Sequence, residues 1–300
     1  MTRTNSISNK TALQHKSNFP LYGRLGFVLV VIFWAVNWSL PGLRTHWAFF
    51  PMWLGYCLTV DALVFWRTRT SLLTRSTPKY IGLFIISAPV WWLFEAMNLR
   101  TQNWDYIGAG QFTALEYIFW TTLSFTTVIP AVFGSAELVS SFGFLKRLGR
   151  GPVIRSDKPT TVSFFAAGWV MLLLLFAWPK VFFPFIWLSV YFILEPINIW
   201  LGNPSLTRWT EKGDWCPVIT LWLGILITAF FWEMWNYFSY PKWIYHIAWG
   251  NWLHIFEMPL LGYGGYLPFA LELYALYHLI TGFLDGKNAD YIHIEPAEKV

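Results

Sequence analysis

Residues 94–120 read FEAMNLRTQNWDYIGAGQFTALEYIFW, and residues 231–259 read FWEMWNYFSYPKWIYHIAWGNWLHIFEMP. Each stretch holds a glutamate and an asparagine three apart, Glu95 with Asn98 and Glu233 with Asn236. Each continues with a Trp-x-Tyr, Trp104-Asp105-Tyr106 and Trp243-Ile244-Tyr245, and then reaches a further glutamate, Glu116 and Glu257. The match extends upstream. Asp61 is followed by Trp66 and Ser71-Leu72, and Glu195 by Trp200 and Ser205-Leu206 at the same offsets, so the register drifts only from 134 to 141 residues. Self-similarity at a fixed period is the mark of internal duplication.

The stretches lie in a chain built for hydrocarbon. Of 300 residues 56% are hydrophobic and 12% charged, against roughly 25% charged in soluble domains, and the mean hydropathy is +0.44. These proportions exclude an ordinary soluble enzyme, and the 21 Trp, 14 Tyr and 27 Phe suit aromatic belts at membrane interfaces. Eight stretches are long enough to cross a hydrocarbon core of about 30 Å: 22–40, 47–66, 80–98, 112–134, 160–178, 181–201, 215–238 and 253–282. The expected fold is therefore an all-α integral membrane protein with eight transmembrane helices in two parallel four-helix repeats. Its parts are a cytoplasmic tail (1–21), repeat 1 (22–134), a basic linker (135–159), repeat 2 (160–282) and a second cytoplasmic tail (283–300). An even number of spans keeps both copies in one orientation, with a pseudo-two-fold axis along the membrane normal. With the N-terminus inside, 17 of 21 basic residues fall on inner segments, leaving Arg44, Arg100, Lys180 and Lys242 outside. Both termini are expected in the cytoplasm of a bacterial inner or archaeal cell membrane.

Acids in hydrocarbon are costly, and they mark functional paths. Glu95, Glu116, Glu233 and Glu257 are expected toward the outer side, Asp61 and Glu195 toward the inner side, and Glu272 about 22 Å along the last helix from Glu257. The Glu-x-x-Asn spacing puts carboxyl and amide on one helix face, so that Asn98 and Asn236 orient Glu95 and Glu233. Carboxyls buried together favour a protonated acid at neutral pH, able to protonate an alkene while aromatic faces stabilise the cation. Glu95 and Glu233 are the candidate acid/base pair, with Glu116 and Glu257 in support. Trp91, Trp92, Trp104, Tyr106, Trp232, Trp235, Trp243 and Tyr245 are the candidate substrate-binding residues, the cavity lying between the third and fourth helices of each copy. Pro259, Gly262, Gly264, Gly265 and Pro268 predict a broken last helix, matched in the first copy by the hydroxyl-rich stretch Thr121–Thr127.

No nucleotide-binding, Rossmann, hydrolase-elbow or zincin motif is present, so no cofactor is expected. Cys57 and Cys216 sit in apolar runs, and His246, His254 and His278 are too scattered for a metal site. The basic residues lie in short loops, which argues for orientation in a membrane rather than nucleic-acid binding.

The pattern of Glu-x-x-Asn, Trp-x-Tyr and a helix-opening Glu resembles the membrane lycopene-cyclase domain of heterodimeric or fused carotenoid cyclases and the related carotenoid hydratases. The resemblance covers under a quarter of the chain. It implies non-redox protonation of a linear polyene by carboxylates, by an isomerase or a hydratase. Where that family commonly has Pro-x-Glu-Glu, this chain has Ala114-Leu115-Glu116 and Ile255-Phe256-Glu257, with one carboxylate in place of two. The expected ligand is a membrane lipid or isoprenoid. Two other readings stand beside it: a transporter or binding protein for a hydrophobic or protonatable solute that uses the same acids, and a structural subunit docking through the basic linker 135–159.

Overall fold

The computed structural model describes residues 18–147, 149–284 and 291–295. Arg3, Lys10, Lys16, Lys287 and Lys299, and with them most of both expected tails, lie outside the described residues. The helices of the first half are α1 (Leu21–Ser39), α2 (Thr45–Thr68), the one-turn α3 (Leu72–Arg75), α4 (Thr77–Thr101), α5 (Ala114–Phe125) and α6 (Val128–Ser140). Those of the second are α7 (Lys158–Ala177), the short α8 (Pro179–Phe182), α9 (Ser189–Leu201), the one-turn α10 (Thr207–Thr210), α11 (Cys216–Tyr237) and α12 (Tyr263–Leu284). Eight spans are long and apolar enough to cross a membrane, with α5 and α6 together forming the fourth and α8 through α9 the sixth. This is the architecture of a polytopic membrane protein.

Local chemistry starts these helices. Ser76 and Asp157 cap α4 and α7 by accepting the Lys79 and Thr160 amides, and Pro78, Pro159 and Pro217 occupy first turns, where no helical partner for an N–H is missing. The fourth span breaks between Phe125 and Val128. Ser87 of α4 repairs that break by donating to the Phe125 carbonyl at 2.5 Å and accepting the Ile129 amide at 3.0 Å. Backbone freed at membrane depth must find such a partner.

The expected last span starts too early. Residues 253–259 form a small hairpin of β3 (His254–Ile255) and β4 (Met258–Pro259), and the helix begins only at Tyr263. Leu253 and Phe256 hold positive φ, and Pro259 has no N–H to give a helix, so the chain turns there. Within α12, Pro268 is accommodated without ending the helix. The fourth span, by contrast, runs further than expected, to Ser140.

The core is made by α2, α4, α6, α11 and α12, which carry most of the large buried side chains, Trp53, Phe94, Phe133, Trp235, Phe269 and Tyr274 among them. Small residues set its closest crossings, as is usual where lipid offers no hydrophobic drive to helix association. A Cβ on Gly224 of α11 would stand 2.6 Å from the Ala136 backbone of α6, and one on Gly26 of α1 would stand 2.7 Å from the Gly55 carbonyl of α2. Helices α1 and α7 are peripheral. They bury Gly23, Gly26 and Asn37, and Thr161, Gly168 and Leu175, while Phe27, Val31, Val170 and Leu173 face outward.

One end of the bundle carries a sheet made from the two halves: β1 (Trp104–Ile107) pairs antiparallel with β2 (Lys242–Tyr245), with Trp104 opposite Tyr245 and Tyr106 opposite Trp243. The other end carries two buried acids that hold the one-turn helices. Asp61 accepts the Leu73 amide at 2.9 Å and the Ser71 hydroxyl at 2.8 Å, and Glu195 accepts the Thr207 amide at 2.7 Å and its hydroxyl at 2.8 Å. Each carboxyl thus binds the amide twelve residues on. The segment 291–295 inserts at this same end. Tyr291 donates to the Leu72 carbonyl, Glu137 is ion-paired with Arg75 and accepts the His293 amide, and Trp209 donates to Glu295.

Candidate functional site

Glu95 and Glu233 stand on the last turns of α4 and α11, below the β1–β2 sheet. Asn98 does not bond Glu95. Its amide donates to the Trp104 carbonyl at 2.8 Å, and its carbonyl accepts the Asn103 amide at 2.8 Å. Asn236 does the same work, donating to the Trp243 carbonyl at 2.8 Å and accepting the Trp243 amide at 3.0 Å. A side-chain amide matches a strand's donor and acceptor together, so each asparagine fixes the start of its strand to its own helix. The expectation that asparagine orients glutamate directly is replaced by an indirect linkage, in which the asparagine holds the strand and the strand's aromatic residues reach the glutamate.

Oε1 of Glu95 accepts three hydrogen bonds, from the Trp91 indole at 2.9 Å, the Trp104 indole at 3.1 Å and the Tyr106 hydroxyl at 2.6 Å. Oε1 of Glu233 accepts two, from the hydroxyls of Tyr245 and Tyr266, both at 2.6 Å, and the Trp243 indole donates to the Tyr245 oxygen at 2.9 Å. Glu233 is fully buried, and its Oε2 has no hydrogen-bond partner. Burial first, and then the neighbouring carboxyl, push the Tyr106 and Tyr245 hydroxyls well above the usual phenol range, so both remain donors. Among the described residues neither carboxyl bonds the other.

Beside this network lies a cavity of about 170 Å³ with an almost entirely apolar wall. Trp91, Trp104, Tyr106, Trp232, Trp243 and Tyr245 line it. Trp92 and Trp235 lie elsewhere: Trp92 donates to the Thr122 hydroxyl, and Trp235 is buried against Trp53 and Tyr56. Glu95 and Glu233 stand behind the wall, joined to it through Trp91, Trp104, Tyr106, Tyr245 and Tyr266, all of which line the cavity. The other two glutamates are differently employed. Glu116 is exposed and closes a capping box with Thr113 at the start of α5, while Glu257 pairs with Lys242 of β2. Among the described residues no three His, Cys, Asp or Glu side chains gather as metal ligands.

Sequence reasoning missed three participants. Tyr266 and Trp187 line the cavity, Trp187 lying parallel to Trp104 with ring centroids 5.8 Å apart, and His46 lines it too. Tyr266 sits among the glycines of α12, where helix breaking drew the eye from the hydroxyl, and Trp187 and His46 belong to neither repeated motif. At the opposite end of the bundle, buried Glu137 fell beyond the expected end of its span.

No protein-family model matches this sequence, and searches of curated proteins and of solved structures return no significant match.

Proposed function

We propose that the chain binds the unsaturated end of an isoprenoid lipid in the aromatic cavity and transfers a proton to it without redox change, the reaction class of the carotenoid cyclases and hydratases that its motifs resemble. The observation that carries this reading is the pair of tyrosines, Tyr245 and Tyr266, whose hydroxyls bond buried Glu233 while their side chains line the cavity. They join an acid with no direct access to the cavity to an apolar ligand within it. Glu233 in its protonated form is the donor: one tyrosine hydroxyl turns to accept the carboxyl proton while its own proton passes to the alkene, reversing the hydrogen bond it makes to the carboxyl. The cation formed on the alkene is stabilised by the faces of Trp91, Trp104 and Trp232. Glu95, whose Oε1 is held by three neutral donors, takes the proton that the cation releases, and exchange with water then returns each carboxyl to its starting state. The volume is close to that of the engineered apolar cavity of about 150 Å³ that admits benzene, so it suits the end group of a long lipid, not the whole of one.

The same reading takes the chain as two four-helix repeats set in parallel about a pseudo-two-fold axis. Its support is the recurrence of bonds: Asp61 and Glu195 each to the amide twelve residues on, Asn98 and Asn236 each to its own strand, and two strands that meet Trp-to-Tyr and Tyr-to-Trp. Both termini are placed in the cytoplasm, the β1–β2 end outside, by the distribution of basic residues, and the membrane is a bacterial inner or archaeal cell membrane.

The test is expression in cells that accumulate a linear carotenoid, beside a Glu233→Gln control, with pigments analysed by chromatography and mass spectrometry. A product of unchanged mass establishes cyclisation, and one heavier by a water establishes hydration, each abolished by the control. An unchanged pigment profile with the protein folded in the membrane refutes the reading. A second reading, binding or transport of an apolar solute, is favoured by one observation, that neither carboxyl itself lines the cavity. It predicts uptake of the solute with no chemical change.

A further inference from the structure

The cavity is not uniformly committed to hydrocarbon. Among its polar lining groups, the Thr45 hydroxyl donates to Asn37 at 2.9 Å and accepts the Tyr240 amide at 2.7 Å. Those of Thr121 and Ser124 donate back to the Tyr117 and Trp120 carbonyls at 2.6 and 2.9 Å. The Lys242 ammonium is paired with Glu257. The three hydroxyl protons are engaged within the protein. Two lining groups differ, the Tyr117 hydroxyl, to which the described residues give no hydrogen bond, and His46. Neither ring nitrogen of His46 has a hydrogen-bond partner among the described residues. Its ring is held in place by edge-on contacts with Phe112 and Trp120, at 5.1 and 5.0 Å between centroids. Nδ1 is sealed from solvent, so Nε2 is the nitrogen left for a ligand. Nδ1 stays without a partner, so a ligand oxygen at Nε2 would supply the ring's one hydrogen bond.

The geometry points to an amphiphilic ligand, an oxygenated isoprenoid whose hydroxyl or carbonyl oxygen is held by Nε2 of His46 while its branched hydrocarbon body lies against Trp91, Trp187 and Phe269. This inference rests on the reading that the cavity is the ligand site, and it narrows the ligand's class. A neutral polar group fits because the imidazole both donates and accepts, according to tautomer, and because the wall around it is otherwise apolar.

The experiment measures binding of two ten-carbon probes to the purified full chain in detergent by quenching of tryptophan fluorescence: geraniol, and the corresponding hydrocarbon 2,6-dimethylocta-2,6-diene. His46→Phe is expected to weaken geraniol about five- to tenfold, the loss of one hydrogen bond, and to leave the hydrocarbon unchanged. Comparing each probe between variants in one detergent cancels its partition into micelles. Equal geraniol binding by the two proteins overturns the role of His46 and leaves the cavity reading standing. Failure of both probes to bind the unsubstituted chain overturns the cavity reading itself and the inference with it. Should His46→Phe lose both probes, His46→Asn decides: retained preference for geraniol supports the inference, and its loss assigns His46 to packing alone.

Discussion

Replacing Asn98 by alanine removes a side chain whose two closest contacts, the Asn103 amide and the Trp104 carbonyl at 2.8 Å each, lie where the chain enters the strand that reaches Glu95. Asn98, Asn103 and Trp104 are 9%, 8% and 4% exposed, so the Asn103 amide and the Trp104 carbonyl lose their partner with little water to replace it. At about 1–3 kcal/mol for each buried group left unsatisfied, and allowing for some hydration at the end of the bundle, the cost is about 2–4 kcal/mol. The loss is local to β1, so the sensitive assay is amide hydrogen exchange over residues 102–107 in detergent, where such a cost accelerates exchange by about thirtyfold or more. Asn98→Asp separates the two halves of the side chain. It keeps an acceptor for the Asn103 amide at 2.8 Å and loses only the donor to Trp104, so it should lie between the parent and the alanine variant. Parent-like exchange in Asn98→Ala would refute the argument that the asparagine anchors the strand, and with it the account of how Trp104 and Tyr106 are aimed at Glu95.

Two further outcomes are expected. Glu137→Ala leaves Arg75 without its ionic partner and the His293 amide without its acceptor, a loss of about 3–5 kcal/mol in thermal or denaturant unfolding, whereas Arg75→Met/Glu137→Leu should be less destabilised than Glu137→Ala; a single variant as stable as the parent contradicts the buried pair. Gly224→Val should cost about 1–3 kcal/mol or prevent folding, because its side chain meets the Ala136 backbone and not a movable side chain, and Gly82→Val, with open space around the Cβ, is the control that should unfold like the parent in the same measurement.

All eight spans are legible in hydropathy because each is a long apolar run, and seven begin within three residues of where composition places them. The eighth is misplaced at its start because residues 253–259 lie next to a long apolar run, while positive φ at Leu253 and Phe256 and the ring of Pro259 fold them into a hairpin. Glu95, Glu233, both asparagines and both Trp-x-Tyr motifs were visible as a repeated pattern, and the structure brings all of them to one end of the bundle. Their connectivity was not visible. Helical spacing shows that Asn98 can face the side of Glu95, but a backbone five and six residues on competes for the same amide, and it offers a donor and an acceptor together where the carboxyl offers only acceptors. Tyr266 was hidden for a similar reason, since it reaches Glu233 from 33 residues away through a tertiary contact that no local pattern encodes.

On the proposed duplication, the two carboxyl sites differ by two substitutions. At the 138-residue offset relating Glu95 to Glu233, Trp91 corresponds to Ala229, so Glu233 has no indole one turn before it. At the 141-residue offset relating Glu116 to Glu257, Tyr266 corresponds to Phe125, so Glu95 has no phenol from its fourth span. Each copy has one residue the other lacks, and the shared tryptophan bonds differently, Trp104 to Glu95 but Trp243 to the Tyr245 oxygen. The indole is a donor only and cannot pass a proton onward, whereas the phenol hydroxyl both donates and accepts and can relay one between a carboxyl and a ligand. Glu95 therefore keeps two indoles among its three donors, which suits a fixed carboxylate, and Glu233 keeps two phenols that also face the cavity, which suits an acid in communication with a ligand. On the proposed function, the division of labour between acceptor and donor would follow from which aromatic residue each proposed copy retained.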